Sequence, residues 1–376
     1  MIKSVGPHIR VQQPGSSRAR KALDEVRRGR LVVVVDDVNP NGGGDLVFAA
    51  EFATPKTLSF VVRHTSGFIC VALPAAECAR LQLNPMTLQD GGRSGSAYRV
   101  TVDRVGTGTG ISAIDRARTI AALGDPKSGP GDFLRPGHVV PVQARDGGIL
   151  HPSAGRVEAA SELARLAGVR SAAGLCEIVS TRHVTAMACG SELHDFAAEN
   201  NLVLVTLDDI LQYRLCAEAL VEAETSSVIQ TRYGSFRAIG YRVVAEQGEH
   251  IAFVAVGTDL SREVPVHVHR ACVAGDVFAA FTCECGNDLA DALVHFAKVE
   301  QGVIIYQSSK NPWTCAESTA TDSQRSAHIA AAVLQDLGVR RALLQSAGDL
   351  QASALRAHGI SIAQLCDSTS QQRTIA

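Results

Sequence analysis

The sequence has few aromatic residues, almost no net charge and no long apolar stretch. Aromatic residues make up 5% of its 376 residues. No segment reaches the roughly 20 apolar residues that a membrane-spanning helix needs, and the N-terminus lacks the apolar core of a signal peptide. A formal net charge of −2, without a long run of Lys or Arg, is too small to attract nucleic acid or an anionic membrane. We therefore predict a cytoplasmic protein with neither a nucleic-acid nor a membrane partner.

The sequence does contain enough apolar residues for two folded domains. Hydrophobic residues make up 46% and charged residues 20% of the chain, which is typical of a globular protein. Apolar runs with strand character, such as 31–35 and 303–306, alternate with segments of helical periodicity, such as 113–122 and 156–167. This alternation predicts a mixed α/β (α+β) fold for both domains.

Composition also suggests where the domains begin and end. Residues 1–19 are rich in Pro, Gly, Ser and Arg, which predicts a flexible arm. We expect a first domain over 20–215, a polar linker over 216–227 and a second domain over 228–367. The polar residues 368–376 predict a disordered tail.

Three of the ten cysteines have the spacing of metal ligands. Cys272, Cys283 and Cys285 form a C-x10-C-x-C pattern, and three thiolates suit tetrahedral zinc better than magnesium or calcium, which prefer oxygen. Three protein ligands leave a fourth position open for chemistry, unless Cys315 fills it and closes a structural site. The alternative is three ordinary buried thiols. The remaining cysteines are scattered, which indicates reduced thiols rather than a disulfide framework.

The residues around these cysteines resemble GTP cyclohydrolase II. The segment VPVHVHRACVAGDVFAAFTCECGNDL has a histidine, His269, shortly before the first cysteine, then G-D-V-F and C-x-C-G, as that family does. The second domain opens at Val228 with a similar T-x-Y-G-x-F motif. The resemblance implies a zinc hydrolase domain with Cys272, Cys283 and Cys285 as ligands.

The first domain resembles 3,4-dihydroxy-2-butanone 4-phosphate synthase. That family's signatures are matched in order by LVVVVDDVNPNGGGDLVFAAE, TGISAIDRARTI, DFLRPGHVVPV, VEAASELARLAG and GLCEIV. Together, the two halves are similar to the bifunctional riboflavin-biosynthesis family. The resemblance implies a lyase joined to a hydrolase, a phosphorylated small-molecule substrate and a dimer.

The resemblance also implies a magnesium site in the first domain, which this sequence alters. The family has an arginine and a metal-binding glutamate where this chain has Pro40 and Asn41, and its histidine ligand aligns with Arg156. Magnesium prefers anionic oxygen ligands, so we expect no magnesium at this site. His151, five positions earlier, is an alternative ligand, but we interpret it as an exposed loop histidine.

Other residues of the implied first site are retained. They are Asp45, Cys70, Thr109 and Asp115, implied to bind substrate, and His138 and Glu177, implied to transfer protons. A histidine and a carboxylate in one cleft can enolise a carbonyl compound without a metal. Alternatively, His138 and Glu177 persist as buried, hydrogen-bonded structural groups.

The implied nucleotide site of the second domain is changed as well. Asp288 replaces a glutamine that contacts guanine, and two acceptors facing each other leave a buried group unpaired at a cost of about 1–3 kcal/mol. Of a D-x-R-x-Y signature, Arg325 remains as the candidate catalytic residue, whereas Ser323 and Ala327 replace the aspartate and the tyrosine. We therefore expect no GTP hydrolysis.

The retained and altered residues of the two implied sites allow three hypotheses. The first is a diverged homologue that has lost both reactions and acts as a binding or regulatory protein, as a homodimer or paired with an intact paralogue. The second is an enzyme with altered chemistry on a phosphorylated sugar or ketone. The third, ordinary dual activity, requires that Asn41, His151 or Asp322 compensate for the missing residues.

Overall fold

The computed structural model describes residues 14–39, 42–87, 97–151, 153–243, 249–309, 313, 320–344 and 349–364. The chain divides into two compact units, and the division falls between Arg214 and Leu215. Each unit contains a mixed β-sheet with helices, which confirms the predicted two-domain α/β fold. None of the helices in the described part of the chain is both long and apolar enough to span a membrane.

The first unit is built on an eight-stranded sheet. Its strands are β1 (Val32–Val35), β2 (Gly44–Ala49), β3 (Cys70–Leu73), β4 (Ala97–Tyr98), β5 (Val102–Arg104), β6 (Phe133–Gln143), β7 (Ala173–Glu177) and β8 (Val203–Thr206). Their order is β4-β6-β3-β7-β2-β1-β8, with β5 paired to β6. The β1–β8 and β3–β6 pairs are parallel, whereas β2 and β7 are antiparallel to their neighbours.

In the part of this unit that the structure describes, seven helices accompany the sheet, and local capping explains where two of them begin. The helices are α1 (Pro14–Arg27), α2 (Pro55–His64), α3 (Ala75–Arg80), α4 (Ala113–Leu123), α5 (Arg156–Leu166), α6 (Ser191–Glu199) and α7 (Leu207–Ala217). Before α2, the Thr54 hydroxyl accepts a hydrogen bond from the Thr57 amide at 3.1 Å. Before α4, the Ser112 hydroxyl accepts one from the Asp115 amide at 3.1 Å. Both contacts satisfy an N-terminal donor that the helix cannot.

The core of the first unit depends on one close contact between strands. Phe48 of β2 is 1% exposed and lies opposite Gly174 of β7. A Cβ atom at position 174 would lie 2.3 Å from the Phe48 ring. The glycine therefore makes room for the phenyl ring, around which Leu46, Val71 and Ile120 are also fully buried.

Strand register brings functional residues to one edge of the sheet. Asp45 in β2 lies directly opposite Glu177, the last residue of β7. On the other side of β7, β3 begins with Cys70, which lies opposite Val140 of β6. His138 precedes Val140 by two residues on the same strand, so side chains from β2, β7, β3 and β6 meet near the same level of the sheet.

The second unit has a seven-stranded sheet. Its strands are β9 (Val221–Thr231), β10 (Gly234–Val243), β11 (Glu249–Ala255), β12 (Glu263–Arg270), β13 (Val303–Gln307), β14 (Arg341–Leu344) and β15 (Ser361–Gln364). Their order is β15-β14-β12-β13-β11-β10-β9. Strands β15, β14, β12 and β13 are parallel, and β11, β10 and β9 continue the sheet as an antiparallel meander.

The described residues of this unit form four helices: α8 (Val273–Asp276), α9 (Cys285–Val299), α10 (Ala320–Asp336) and α11 (Asp349–Ala357). Helix α9 connects the parallel strands β12 and β13, as a crossover connection requires. Its Phe296 is fully buried against Phe236 and Ile304. Gly302, with φ of +144°, passes so close that a Cβ there would lie 2.4 Å from the Phe296 ring.

Several predicted boundaries differ from the structure. Residues 14–19, predicted as part of a flexible arm, belong to α1, and the predicted linker 216–227 contains the end of α7 and most of β9. The linker segment is polar because β9 is an edge strand that, among the described residues, pairs with β10 alone and is largely exposed. The predicted disordered tail, 368–376, lies outside the described residues.

Candidate functional site

Arg156 lies between two carboxylates in the first unit. Its Nε atom is 3.3 Å from Asp45 Oδ2, and its Nη1 atom donates a hydrogen bond to Glu177 Oε1 at 3.0 Å. Arg156 is the first residue of α5, after the turn at Gly155. Gly43 faces the same group, since a Cβ there would lie 2.4 Å from Glu177 Oε1. The backbone therefore approaches this group of charges too closely for a larger residue.

Burial changes the protonation of Asp45. Its residue is 5% exposed, and this burial raises the pKa of Asp45 from 3.8 to about 6, because loss of water disfavours the charged form. Arg156 opposes this rise in pKa, and Glu177 adds to it by charge repulsion. The Arg156 guanidinium thus compensates the charge of both carboxylates.

A histidine–aspartate pair forms the other half of the pocket. His138 Nδ1–H donates to Asp103 Oδ2 at 2.7 Å, and the His138 backbone amide donates to Asp103 Oδ1 at 2.9 Å. The Asp103 side chain is 9% exposed, whereas that of His138 is 42% exposed. The pair fixes the ring so that Nε2 carries the lone pair. His138 was predicted from the sequence, but its partner Asp103, 35 positions away in β5, was not.

The four predicted substrate-binding residues are distributed around these two groups. Asp45 belongs to the Arg156 group. Cys70 is 9% exposed in β3, and burial, with a contribution from the Asp45 charge, raises its pKa to about 12, so its thiol stays protonated. Thr109 is exposed, in the loop that leads to α4. Asp115 accepts from the Gly108 amide at 3.3 Å, and its hydrogen bond with Ser112, together with such amide contacts, lowers its pKa.

The loop before α4 connects Asp115 with the histidine–aspartate pair. A Cβ at Gly110, whose φ is +82°, would lie 2.1 Å from Asp103 Oδ2 and 2.7 Å from His138 Nδ1. Gly110 thus covers the pair, and no other residue type fits there without displacement. Tyr98 of β4 also belongs to this region, since burial and the nearby Cys70 and Asp45 raise its pKa. The sequence analysis did not identify Tyr98 or Asp103, because only strand pairing brings them here.

The two groups are neighbours that do not touch. Strand β3 separates β6, which carries His138, from β7, which carries Glu177. Two strand spacings correspond to about 10 Å between backbones. Among the residues that the structure describes, no hydrogen bond or ion pair joins His138 to Glu177. A small ligand could contact both groups at once, but the two residues do not act on one another directly.

The positions that differ from the family's magnesium site are Pro40, Asn41 and Arg156, and His151 is the alternative ligand. Pro40 and Asn41 lie outside the described residues. Arg156 occupies the pocket as described. His151 is half-buried, not exposed as expected, and its Nδ1 accepts a hydrogen bond from the Ser153 amide at 3.1 Å within its own turn.

The three predicted zinc ligands lie together in the second unit. One ligand atom from each of Cys272, Cys283 and Cys285 lies within 4.8 Å of the others, and the Cys272 and Cys283 sulfur atoms are 3.7 Å apart. Tetrahedral zinc with Zn–S bonds of 2.3 Å separates two sulfur ligands by about 3.8 Å. A Cβ at Gly275 would lie 2.8 Å from Cys283 Sγ, so a glycine is needed beside the sulfur atoms. The donor set therefore fits zinc.

Asp276 holds the first cysteine of this cluster in place through hydrogen bonds. Its Oδ2 accepts from the Cys272 amide and from the Tyr306 hydroxyl, both at 2.9 Å, and its Oδ1 lies 3.0 Å from His269 Nε2. The His269 and Tyr306 rings stack, with centroids 5.4 Å apart. His269, which the sequence comparison singled out, thus positions the backbone of a ligand and does not itself belong to the sulfur cluster. Cys315 lies outside the described residues.

Arg325, the remaining candidate catalytic residue of the second domain, lies in α10. It is 4% exposed, and its Nη1 lies 4.0 Å from Asp322 Oδ1. The next residue, Ser326, contacts Gln307 at the end of β13, where the Gln307 amide donates to the Ser326 carbonyl at 2.8 Å. Arg325 therefore lies near the same end of the sheet as β12 and its His269.

These features define a class of two-domain proteins: a synthase-type domain with a carboxylate–imidazole pocket, followed by a cyclohydrolase-type domain with a three-thiolate cluster. Residues 20–213 match the family 3,4-dihydroxy-2-butanone 4-phosphate synthase, and residues 222–367 match GTP cyclohydrolase II. The chain belongs to the 3,4-dihydroxy-2-butanone 4-phosphate synthase family and carries a GTP cyclohydrolase II domain after it. The resemblance predicted from the sequence motifs is confirmed.

Several known proteins are similar to this chain. The riboflavin biosynthesis protein RibBA of Salinispora arenicola is 48% identical over 287 residues, which cover 76% of this chain and 68% of that protein. RibBA of Rhodococcus jostii is 46% identical over 291 residues, covering 76% and 70%. The crystal structure of RibBX from A. baumannii, described as a two-domain 3,4-dihydroxy-2-butanone 4-phosphate synthase, matches with a TM-score of 0.76 and 29% identity over 93% of this chain and 100% of that one. The chain is thus a riboflavin-biosynthesis-type synthase/cyclohydrolase homologue.

Proposed function

We propose that this chain binds a small phosphorylated ketose in its first domain and does not catalyse the magnesium-dependent cleavage of ribulose 5-phosphate or the hydrolysis of GTP. The observation that supports this most directly is the position of Arg156 between Asp45 and Glu177. A guanidinium within 3.3 Å of both carboxylates supplies the positive charge that a divalent cation would otherwise bring. These residues therefore do not fit a magnesium ion while Arg156 remains in this place.

The same arrangement favours binding of an anionic ligand without a metal. Arg156 is 25% exposed, so part of its guanidinium faces the pocket. An arginine can offer two parallel N–H groups to a phosphate or an enediolate. Arg156, Asp45 and the loop at Thr109 and Asp115 then form the parts of the pocket that would contact the ligand.

The second domain supports a metal-stabilised role rather than GTP hydrolysis. The three cysteines fit zinc, yet Asp288 and Ser323 stand where the family has its guanine-binding glutamine and its general base. We propose that zinc binds Cys272, Cys283 and Cys285 and holds β12 to the start of α9. When bound, zinc would supply Lewis-acid chemistry only if its fourth position remained open.

A specific observation favours a second candidate, an enzyme with altered chemistry. The Asp103–His138 pair is intact, and the His138 side chain is 42% exposed. Its Nε2 atom can accept a proton from the carbon next to a carbonyl group and return it, with Asp103 stabilising the imidazolium. In this reading, the phosphorylated sugar or ketone is enolised at His138, and Arg156 stabilises the negative charge that develops on oxygen.

The first experiment tests the proposal with ribulose 5-phosphate and the purified full-length protein. We expect binding, measured by isothermal titration calorimetry, that EDTA does not weaken and that Arg156→Met reduces. We also expect no formate in an NMR time course with magnesium. Formate that requires magnesium and disappears in Glu177→Ala would overturn the proposal. Consumption of GTP by the zinc-loaded protein would overturn its second part.

Deuterium exchange separates the two candidates. In D2O, proton transfer at His138 replaces the hydrogen next to the ribulose 5-phosphate carbonyl with deuterium, even without a new product. If the protein is an enzyme with altered chemistry, exchange is present in the wild type and lost in His138→Gln. The matched control is His194→Gln, an exposed histidine on α6, which should leave exchange unchanged. Binding without exchange supports the binding role.

Assembly and location are further proposals. We propose a homodimer or a pair with an intact paralogue, because the family resemblance implies dimers, and a cytoplasmic location without nucleic-acid or membrane partners. Light scattering after size-exclusion chromatography tests the first point, and a monomeric mass would contradict it.

A further inference from the structure

A second group of metal-ligating side chains lies in the second unit and shares no residue with the three-thiolate cluster. It consists of Cys216 in the last turn of α7, His328 in the middle of α10 and His358 directly after α11. One ligand atom of each residue lies within 4.8 Å of the others. The closest approach is 3.2 Å, between His328 Nδ1 and His358 Nε2. We refer to these three residues as the Cys–His–His group.

The separation of the two imidazole nitrogen atoms matches that around a tetrahedral metal ion. With Zn–N bonds of about 2.05 Å, two imidazole ligands have nitrogen atoms about 3.3 Å apart, and the observed separation is 3.2 Å. A thiolate with a Zn–S bond of 2.3 Å lies about 3.6 Å from each of these nitrogen atoms, which is within the 4.8 Å that contains all three ligand atoms here. The thiol reaches the two rings from a third helix, α7.

A further contact orients His358 as a ligand requires. Its Nδ1 lies 3.1 Å from Gln335 Oε1, and an amide oxygen only accepts, so Nδ1 carries the hydrogen and Nε2 carries the lone pair. That lone pair points towards His328. Metal-binding histidines commonly donate their second N–H to such an outer partner, which fixes the ring. Gln335 lies seven residues after His328, two turns along the same face of α10.

The backbone holds both rings in place. The His358 amide donates to the carbonyls of Ala354 and Leu355, both at 3.1 Å, and closes the end of α11. Gly359 follows with a φ of +77°, which turns the chain back towards β15. His328 is 3% exposed within α10. The ligand atoms thus need little reorganisation to bind an ion.

We propose that Cys216, His328 and His358 bind a zinc ion, with water as the fourth ligand. Two imidazoles and a thiolate are the donors that zinc accepts in proteins. The ion would connect the last turn of α7, where the second unit begins, with α10 and α11 near the end of that unit. It would hold these three segments together, and it is independent of the proposed ligand of the first domain.

Zinc stoichiometry of the full-length protein tests this site. The protein is stripped with a chelator, loaded with excess zinc, passed through a desalting column and analysed for zinc per chain. Relative to wild type, Cys216→Ser and His358→Gln should each lose one zinc ion per chain. The matched controls are Cys189→Ser and His295→Gln, an exposed cysteine and an exposed histidine, which should lose none. Zinc content unchanged in both test variants overturns the proposal.

A measurement on the wild type covers the case in which a variant does not fold. The three-thiolate cluster has no histidine ligand, so nitrogen-15 NMR signals of imidazoles that move to the chemical shift of coordinated nitrogen report the Cys–His–His group. Two histidines should show this change at a stoichiometric amount of zinc, whereas His269, which contacts Asp276 beside the cysteines, should show at most the smaller shift of an uncoordinated ring. If no imidazole signal reaches the chemical shift of coordinated nitrogen while the protein takes up zinc, the ion binds only at cysteines and the proposal is wrong.

Discussion

The buried charge of Asp45 should make the first domain less stable as pH rises. Burial raises the pKa of Asp45 from 3.8 to about 6, so the folded protein holds this proton more tightly than the unfolded chain. The stabilisation is complete below the unfolded pKa and is lost as pH rises through the folded pKa. A difference of about 2 pKa units corresponds to about 3 kcal/mol. Asp45→Asn removes this titration, because an amide stays neutral at every pH.

The free energy of opening around β2 is the quantity to measure, by hydrogen exchange with mass spectrometry, corrected for intrinsic exchange rates. The free energy of opening of Asp45→Asn is subtracted from that of the wild type. We expect this difference to fall by about 3 kcal/mol between pH 4 and pH 7. Leu46→Val is the matched control in the same strand, because it costs about 1 kcal/mol without adding or removing a titrating group. A difference that stays constant with pH, or rises, refutes the argument that burial dominates at Asp45.

Three other substitutions test packing and support of the metal cluster. Phe48→Ala should destabilise the first domain by about 3–5 kcal/mol, measured by thermal unfolding, because the ring is fully buried; a loss below 1 kcal/mol would contradict the packing. Tyr241→Phe should cost about 1 kcal/mol in urea unfolding, since its hydroxyl donates to Asp336 at 2.8 Å. Asp276→Asn should weaken zinc binding about 10- to 100-fold in a chelator competition, because Asp276 holds the Cys272 amide; unchanged affinity would argue against this supporting role.

Local patterns predicted much of the fold. Helices α4 and α5 begin at the predicted residues and end within one residue of the predicted boundaries, because helical periodicity and end signals agree in those segments. The spacing of Cys272, Cys283 and Cys285 predicted a cluster that the structure brings together. In each case, the decisive residues are close in sequence.

Features that depend on pairing between distant segments could not be predicted. Asp103 and His138 meet only because β5 pairs with β6. No sequence pattern near His138 predicts Asp103 as its hydrogen-bond partner. Strand β9 looked like a linker because an edge strand can be polar throughout. Arg156 was recognised as a poor metal ligand, but its ion pairs with Asp45 and Glu177 required the register of β2 and β7.

The closeness of the Cys272 and Cys283 sulfur atoms has a consequence for oxidative stress. At 3.7 Å, these thiols need only a small movement to form a disulfide once no metal shields them. Cys70 and Cys176 in the first unit are protected differently, since burial raises the pKa of both thiols and suppresses the reactive thiolate. An oxidant should therefore damage the second domain first. A bound metal ion would protect Cys272 and Cys283 from oxidation to a disulfide.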